Sequence, residues 1–173
     1  TAQAPERLRA RRDHLVEVST FSGWDELGRW YAGLERDREG VTPAIRARAD
    51  SLVRGKTSRR DSIAALYDFV STGFRYVSLS FGVGRFQPHL AAEVLANRYG
   101  DCKDKHTLFA ALLRSIGVAS SPVLVSSGME VDSGIASPGQ FDHVITQVIA
   151  GSDTLYLDTT PEVRPFGYLV PPL

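Results

Sequence analysis

The amino-acid sequence predicts an α+β fold in which helices come first and antiparallel strands follow. Three observations carry that reading. Apolar residues recur at spacings of three and four from Trp24 to Val70, the helical period. The same period runs from the single cysteine, Cys102, through Leu108, Leu112 and Ile116, then gives way after Gly117 to extended, β-rich segments. Gly151-Ser152-Asp153 separates two of those segments, as the turn of a hairpin does. A chain of 173 residues suits one domain with a substantial core.

In chain order, the arginines at 7, 9, 11 and 12 are interrupted by Glu6, Asp13 and Glu17, so residues 1–20 read as a solvated connecting arm with a short strand at 14–18. Ser22 is the expected cap of a first helix with Trp24, Leu27, Tyr31 and Leu34 facing inward. Thr42-Pro43 opens a second by the cap-then-proline rule, with Ile45, Ala49, Leu52 and Val53 inward and Gly55 as its stop. Ser58 starts a third that ends near Gly73. A short strand is expected at 74–79 and an irregular loop at 80–90, where Gly82, Gly84 and Pro88 cluster. Its Gly-Val-Gly lacks the wider glycine fingerprint of a phosphate cradle. A short helix at 91–97 delivers the chain to Cys102. Strands are expected at 118–127, 141–149 and 154–160, with a mobile loop at 128–140 and a proline-rich surface tail from Pro161.

Composition narrows the function classes. Lysine plus arginine number 20 and so do aspartate plus glutamate, so no net field favours nucleic acid or an anionic membrane. The longest apolar runs, such as Leu108–Leu113, fall well short of the ~20 residues that span a bilayer. One cysteine leaves no internal disulfide framework. The chain begins at Thr1 and its only methionine is Met129, which leads us to expect a processed chain or a piece of a longer protein with flanking domains.

Chemistry concentrates at Cys102. A thiol attacks a carbonyl as thiolate, and the free group titrates at about 8.5, so reactivity needs help from its surroundings. Asp101 is a good helix cap, which sets Cys102 at the first helical position, where free N–H groups and the helix dipole favour negative sulfur. A nearby imidazole is the second requirement. Of the four histidines, His143 begins the first strand of the hairpin and Asp158 ends the second. An even-numbered loop would put both side chains on one face, and a two-residue turn at Ala150-Gly151 would set them directly opposite; an odd loop would separate them. Taken singly, each residue reads better as structural than as catalytic: a small buried thiol, a satisfied strand-end histidine and turn chemistry at Asp158. Their joint placement is what points to a triad. His106, four residues after Cys102 on its helix face, is the rival base but lacks an evident orienting acid. A metal set of Cys102, His106, His89 and His143 has only that one short ligand spacing. No cofactor or metal is expected, and no calcium-loop pattern occurs.

Arg-Tyr-Gly-Asp-Cys-Lys-Asp-Lys at 98–105, Phe-Asp-His-Val at 141–144 and Leu-Asp-Thr-Thr-Pro at 157–161, in that order, resemble the transglutaminase-like superfamily of papain-type cysteine enzymes, and more narrowly the core domain of bacterial multidomain transglutaminase-like proteins. The resemblance implies a papain-like core in which a Cys-bearing central helix packs on an antiparallel sheet carrying His and Asp. It divides the chain into an arm with linker helices (1–57), a catalytic core (58–161) and a tail (162–173). It also implies Cys102 as nucleophile, His143 as base, Asp158 as orienting acid, and the Cys102 backbone N–H as an oxyanion donor. Gln87 and Tyr99 are further candidates for oxyanion or substrate contacts, Gln87 by analogy with the glutamine that papain-like enzymes place ahead of their cysteine. The implied activity is acyl transfer or amide hydrolysis on a protein or peptide through a thioester, in an extracytoplasmic setting. The alternative is a binding or scaffolding module that keeps the fold without turnover.

Overall fold

The protein was examined as a computed structural model, which describes residues 18–78, 82–163 and 165–169. The expected arginine-rich arm, the strand at 14–18 except Val18, and Leu79 lie outside the described residues. The first helix, α1 (Trp24–Glu35), differs from expectation at both its start and its buried face. Gly23 occupies the cap position, while Ser22, one residue earlier, donates from its N and Oγ to Glu26 Oε2 at 2.7 and 2.6 Å. The buried positions are Leu27, Tyr31 and Glu35, so an acid continues the inward stripe where Leu34 was expected.

The next two helices start as their caps dictate. Thr42 Oγ1 accepts from Ile45 N at the head of α2 (Pro43–Val53), and Ser58 Oγ accepts from Asp61 N at the head of α3 (Arg59–Gly73). A two-residue strand, β1 (Arg75–Tyr76), pairs in parallel with β2 (Tyr99–Gly100), which sequence reading did not anticipate. Between them lie a 3₁₀ turn at Gly82–Arg85 and the short helix α4 (Ala91–Asn97). The helix that carries the cysteine, α5 (Cys102–Ser115), is buried at almost every position, and Gly117 at φ 70 ends it in the left-handed conformation glycine tolerates.

The remaining strands, β3 (Ala119–Val125), β4 (His143–Ala150) and β5 (Asp153–Leu157), form an antiparallel sheet in the order β3-β4-β5. One core joins the layers. Ile45 and Ala49 of α2, Ile63, Leu66 and Val70 of α3, Leu108, Phe109 and Leu112 of α5, and Val148 and Leu157 of the sheet all belong to it. At about 25 cal/mol per Å² of apolar surface, each fully buried leucine or isoleucine contributes roughly 1.5–3 kcal/mol, so the rigid platform is α5 itself. From the tail, Phe166 packs on Tyr67 at 5.7 Å between ring centroids rather than lying free on the surface.

Candidate active site

The head of α5 is built by Gly100, Asp101 and Asp104. Asp101 caps the helix, accepting from Asp104 N, and Asp104 Oδ2 accepts in return from Asp101 N at 3.2 Å. Asp104 folds back so closely that a Cβ on Gly100 would lie 2.6 Å from its own Cβ, which is why glycine precedes the cap. The other Asp104 oxygen accepts from His89 N at 2.8 Å and tethers the preceding loop. Cys102 therefore emerges, half-buried and free, at the first position of a helix fixed on both sides.

The hairpin supplies the other two groups. Its loop is the two-residue Gly151-Ser152, with Gly151 at φ 75, and Ala150 pairs with Asp153. The loop is even, as a shared face requires, but it sits one residue later than the expected Ala150-Gly151. Continuing the register past Leu157 puts Asp158 across from Ile145, so His143 and Asp158 are diagonal rather than directly opposite. Longer side chains bridge a diagonal of about 7–8 Å, and His143 Nε2 lies 3.1 Å from Asp158 Oδ2. That leaves Nδ1 as the ring nitrogen available to Cys102, which lines the same cleft as His143. Thr160 N donates to Asp158 Oδ1 at 2.9 Å, and Tyr67 Oη to the Asp158 carbonyl at 2.9 Å.

Charge follows from this arrangement. Burial by itself disfavours the His143 imidazolium, yet hydrogen bonds to Asp158 and Cys102, with the charges of both, push its pKa up to about 10. Burial also disfavours the Asp158 carboxylate, but His143 and Thr160 hold its pKa below the usual value. Lys105, fully buried one turn along α5, donates to the carbonyls of Ser71, Phe74 and Thr160 at 3.0–3.3 Å, anchoring the segment after Asp158. Burial lowers its pKa.

Cys102 and His143 open into a cleft of about 200 Å³ lined also by Tyr31, Tyr76, Arg85, Phe86 and Phe141. Sequence reading did not single out Tyr76. Its phenol is pushed up by burial and by the charge of Cys102, which keeps it a proton donor beside the sulfur. The only signal for it was its place in an expected strand. Gln87 and Tyr99 do not line the cleft; Tyr99 is exposed and Gln87 closes the 3₁₀ turn, its N donating to Val83 O at 2.9 Å. The 128–140 loop is tied by Gln140, whose Oε1 accepts from Asp132 N at 2.7 Å, and by Trp24 Nε1, which donates to Ser133 O at 2.8 Å.

The rival histidine points elsewhere. His106 is buried, its Nδ1 2.8 Å from Thr146 Oγ1 and its Nε2 toward Glu35 and Glu39. His89 pairs with Asp104 at 3.1 Å. Among the described residues, Cys102, His106, His89 and His143 thus form no common ligand group.

The profile of the Transglutaminase-like superfamily matches residues 46–152, well over half of the chain. This chain belongs to the transglutaminase-like superfamily. No match was found among the curated proteins. Of solved structures, a presumed protease from Parabacteroides distasonis superposes with a TM-score of 0.66 at 14% identity, covering 82% of this chain and 28% of that one. A presumed cysteine protease from Cytophaga hutchinsonii gives 0.50 at 16% identity, covering 68% and 37%. The periplasmic domain of TgpA from Pseudomonas aeruginosa gives 0.45 at 19%, covering 73% and 48%. The transglutaminase-like chain thus spans less than half the length of each, and for the first two, at these identities, the likeness is one of fold. Among the described residues no helix is long and apolar enough to cross a membrane.

Proposed function

We propose that this transglutaminase-like domain performs cysteine-dependent acyl transfer or amide hydrolysis on a protein or peptide, with Cys102 as nucleophile, His143 as base and Asp158 as orienting acid. The observation that carries the reading is the His143 ring, held on Nε2 by Asp158 at 3.1 Å and set in one cleft with Cys102. The raised imidazolium pKa favours a thiolate–imidazolium pair. The thiolate attacks the amide carbon and forms the C–S bond. The oxyanion is met by the Cys102 N–H, free at the helix start, and by the Tyr76 phenol in place of Gln87. His143 gives its proton to the leaving amine as the C–N bond breaks, leaving a thioester. Water or a second amine then loses a proton to His143 and releases the acyl group. The catalytic boundaries at 58–161, the flanking domains and the extracytoplasmic setting are part of this reading, carried over from the sequence resemblance.

Incubation with a peptide and protein panel, followed by mass spectrometry of Cys102, tests it. An acyl adduct on Cys102 that vanishes in Cys102→Ala and accumulates more slowly in His143→Ala is the expected result. A folded protein that forms no adduct with any member and labels with iodoacetamide as an ordinary thiol, with a midpoint near ~8.5 in both wild type and His143→Ala, overturns it in favour of a scaffold.

A further inference from the structure

We propose that Glu35, Glu39 and His106 form a binding site for one divalent cation of the zinc class, behind the helix that carries Cys102. Glu35 is the last residue of α1, and a turn closed by Arg38 N to Glu35 O at 2.8 Å brings Glu39 back beside it. His106 reaches the same place from α5. His106 Nε2 lies 3.6 Å from Glu39 Oε1 and 4.0 Å from Glu35 Oε1, and the three side chains are 1%, 9% and 6% exposed.

The polar atoms are what distinguish this cluster from an ordinary internal ion pair. Among the described residues His106 Nε2 and Glu35 Oε1 are buried without a hydrogen-bond partner, and they face each other at 4.0 Å. Leaving such atoms bare in the interior is costly, whereas a shared cation satisfies imidazole and carboxylates together. The surroundings match the demand. Thr146 Oγ1 holds His106 Nδ1 at 2.8 Å, the outer-shell partner that orients a ligating imidazole. Arg114 takes the other Glu39 oxygen, leaving Oε1 turned inward.

The geometry allows one ion. One ligand atom from each residue lies within 4.8 Å of the other two, so some point lies within about 2.8 Å (4.8/√3) of all three. A contraction of under ~1 Å per ligand gives the roughly 2.0–2.1 Å bonds that zinc makes to histidine and carboxylate. Nitrogen with carboxylate oxygen suits zinc and its first-row neighbours better than the all-oxygen preference of calcium or magnesium.

The proposal is independent of the cysteine chemistry, and the test separates them. The 173-residue chain carrying Cys102→Ala, made without a histidine tag and stripped with chelator, removes the thiol as a competing ligand. Zn²⁺ is then titrated by calorimetry, with thermal denaturation and circular dichroism on the same samples. One equivalent is expected to bind and raise Tm, with Glu35→Gln weakening binding at least about tenfold while keeping the wild-type circular dichroism spectrum, and His106→Ala removing it. Absence of saturable one-to-one binding in the Cys102→Ala chain, or equal affinity in Glu35→Gln, overturns the site and leaves a metal-free ion-paired cluster.

Discussion

Two histidine–carboxylate groups flank α5, and the contrast between them shows how burial and partners decide what the same residue types do. At the front, His143 is half-buried, bound through Nε2 to Asp158 and lifted to a pKa of about 10, and its acid is held in turn by Thr160. At the back, His106 sits one turn from Cys102 yet is sealed away, one nitrogen on Thr146 and the other bare against two carboxylates. The front is satisfied and open to a cleft, as chemistry on an incoming molecule requires. The back is unsatisfied and closed, which suits a small ion or proton and no larger substrate. Position along the helix does not decide which histidine shares the cleft with Cys102; the direction of the imidazole does.

The largest test of this contrast is Asp158→Asn. Losing the acid that orients His143 is expected to slow acylation of Cys102 by about 10²–10⁴-fold, read from adduct formation, while Glu35→Gln at the back leaves that rate within about twofold. An equal loss in both variants would dissolve the division between front and back.

Next is Lys105→Met, which removes three hydrogen bonds at once from a buried site between the two faces. A destabilisation of about 3–5 kcal/mol in urea denaturation is expected, from carbonyls left unsatisfied. Thr146→Val acts on the back alone. It strips His106 Nδ1 of its partner and is expected to cost about 1–3 kcal/mol, with the pH profile of iodoacetamide labelling unmoved. A shift in that profile would mean that His106, not His143, sets the reactivity of the thiol.

The smallest effect concerns pH and belongs to the front. The folded pKa of His143, about 10, lies above the unfolded value near ~6.5. Its contribution to stability is therefore complete below about pH 6.5, declines above it and is gone beyond pH 10. Asp158 has a depressed folded pKa, so its contribution holds above ~3.9 and is lost as pH falls through the folded value. The stability gap between wild type and His143→Ala is expected to narrow by on the order of 1 kcal/mol or more from pH 6.5 toward 10. A gap that widens over this range contradicts the assignment.

Much of the front was legible because its signals are local. A cap, a thiol and a helical period lie within one segment, and Thr42, Ser58 and Asp101 each start their helices by side-chain chemistry within three residues. The hairpin was legible in neither parity nor register, since the sequence allowed even and odd loops alike, and a one-residue choice between Ala150-Gly151 and Gly151-Ser152 shifts every cross-strand partner. Gln87 was a candidate by analogy with a residue ahead of the cysteine in papain-like enzymes, and an analogy of sequence order says nothing of where a loop turns. Tyr76 was missed because a two-residue parallel pairing with Tyr99–Gly100 leaves no pattern long enough to read. The back was illegible, for Glu35 looks like solvent-facing charge until a turn after α1 folds it inward.

The sequence by itself determined the order of helices before strands, the placement of Cys102 at a capped helix start and the family, because each rests on short-range periodicity or a contiguous motif. Tertiary structure decided which nitrogen of His143 faces the thiol, which histidine is excluded from it, and that two glutamates and a histidine from separate elements meet in the interior. Those outcomes depend on the register of a sheet and the packing of helices, whose distances no local spacing encodes.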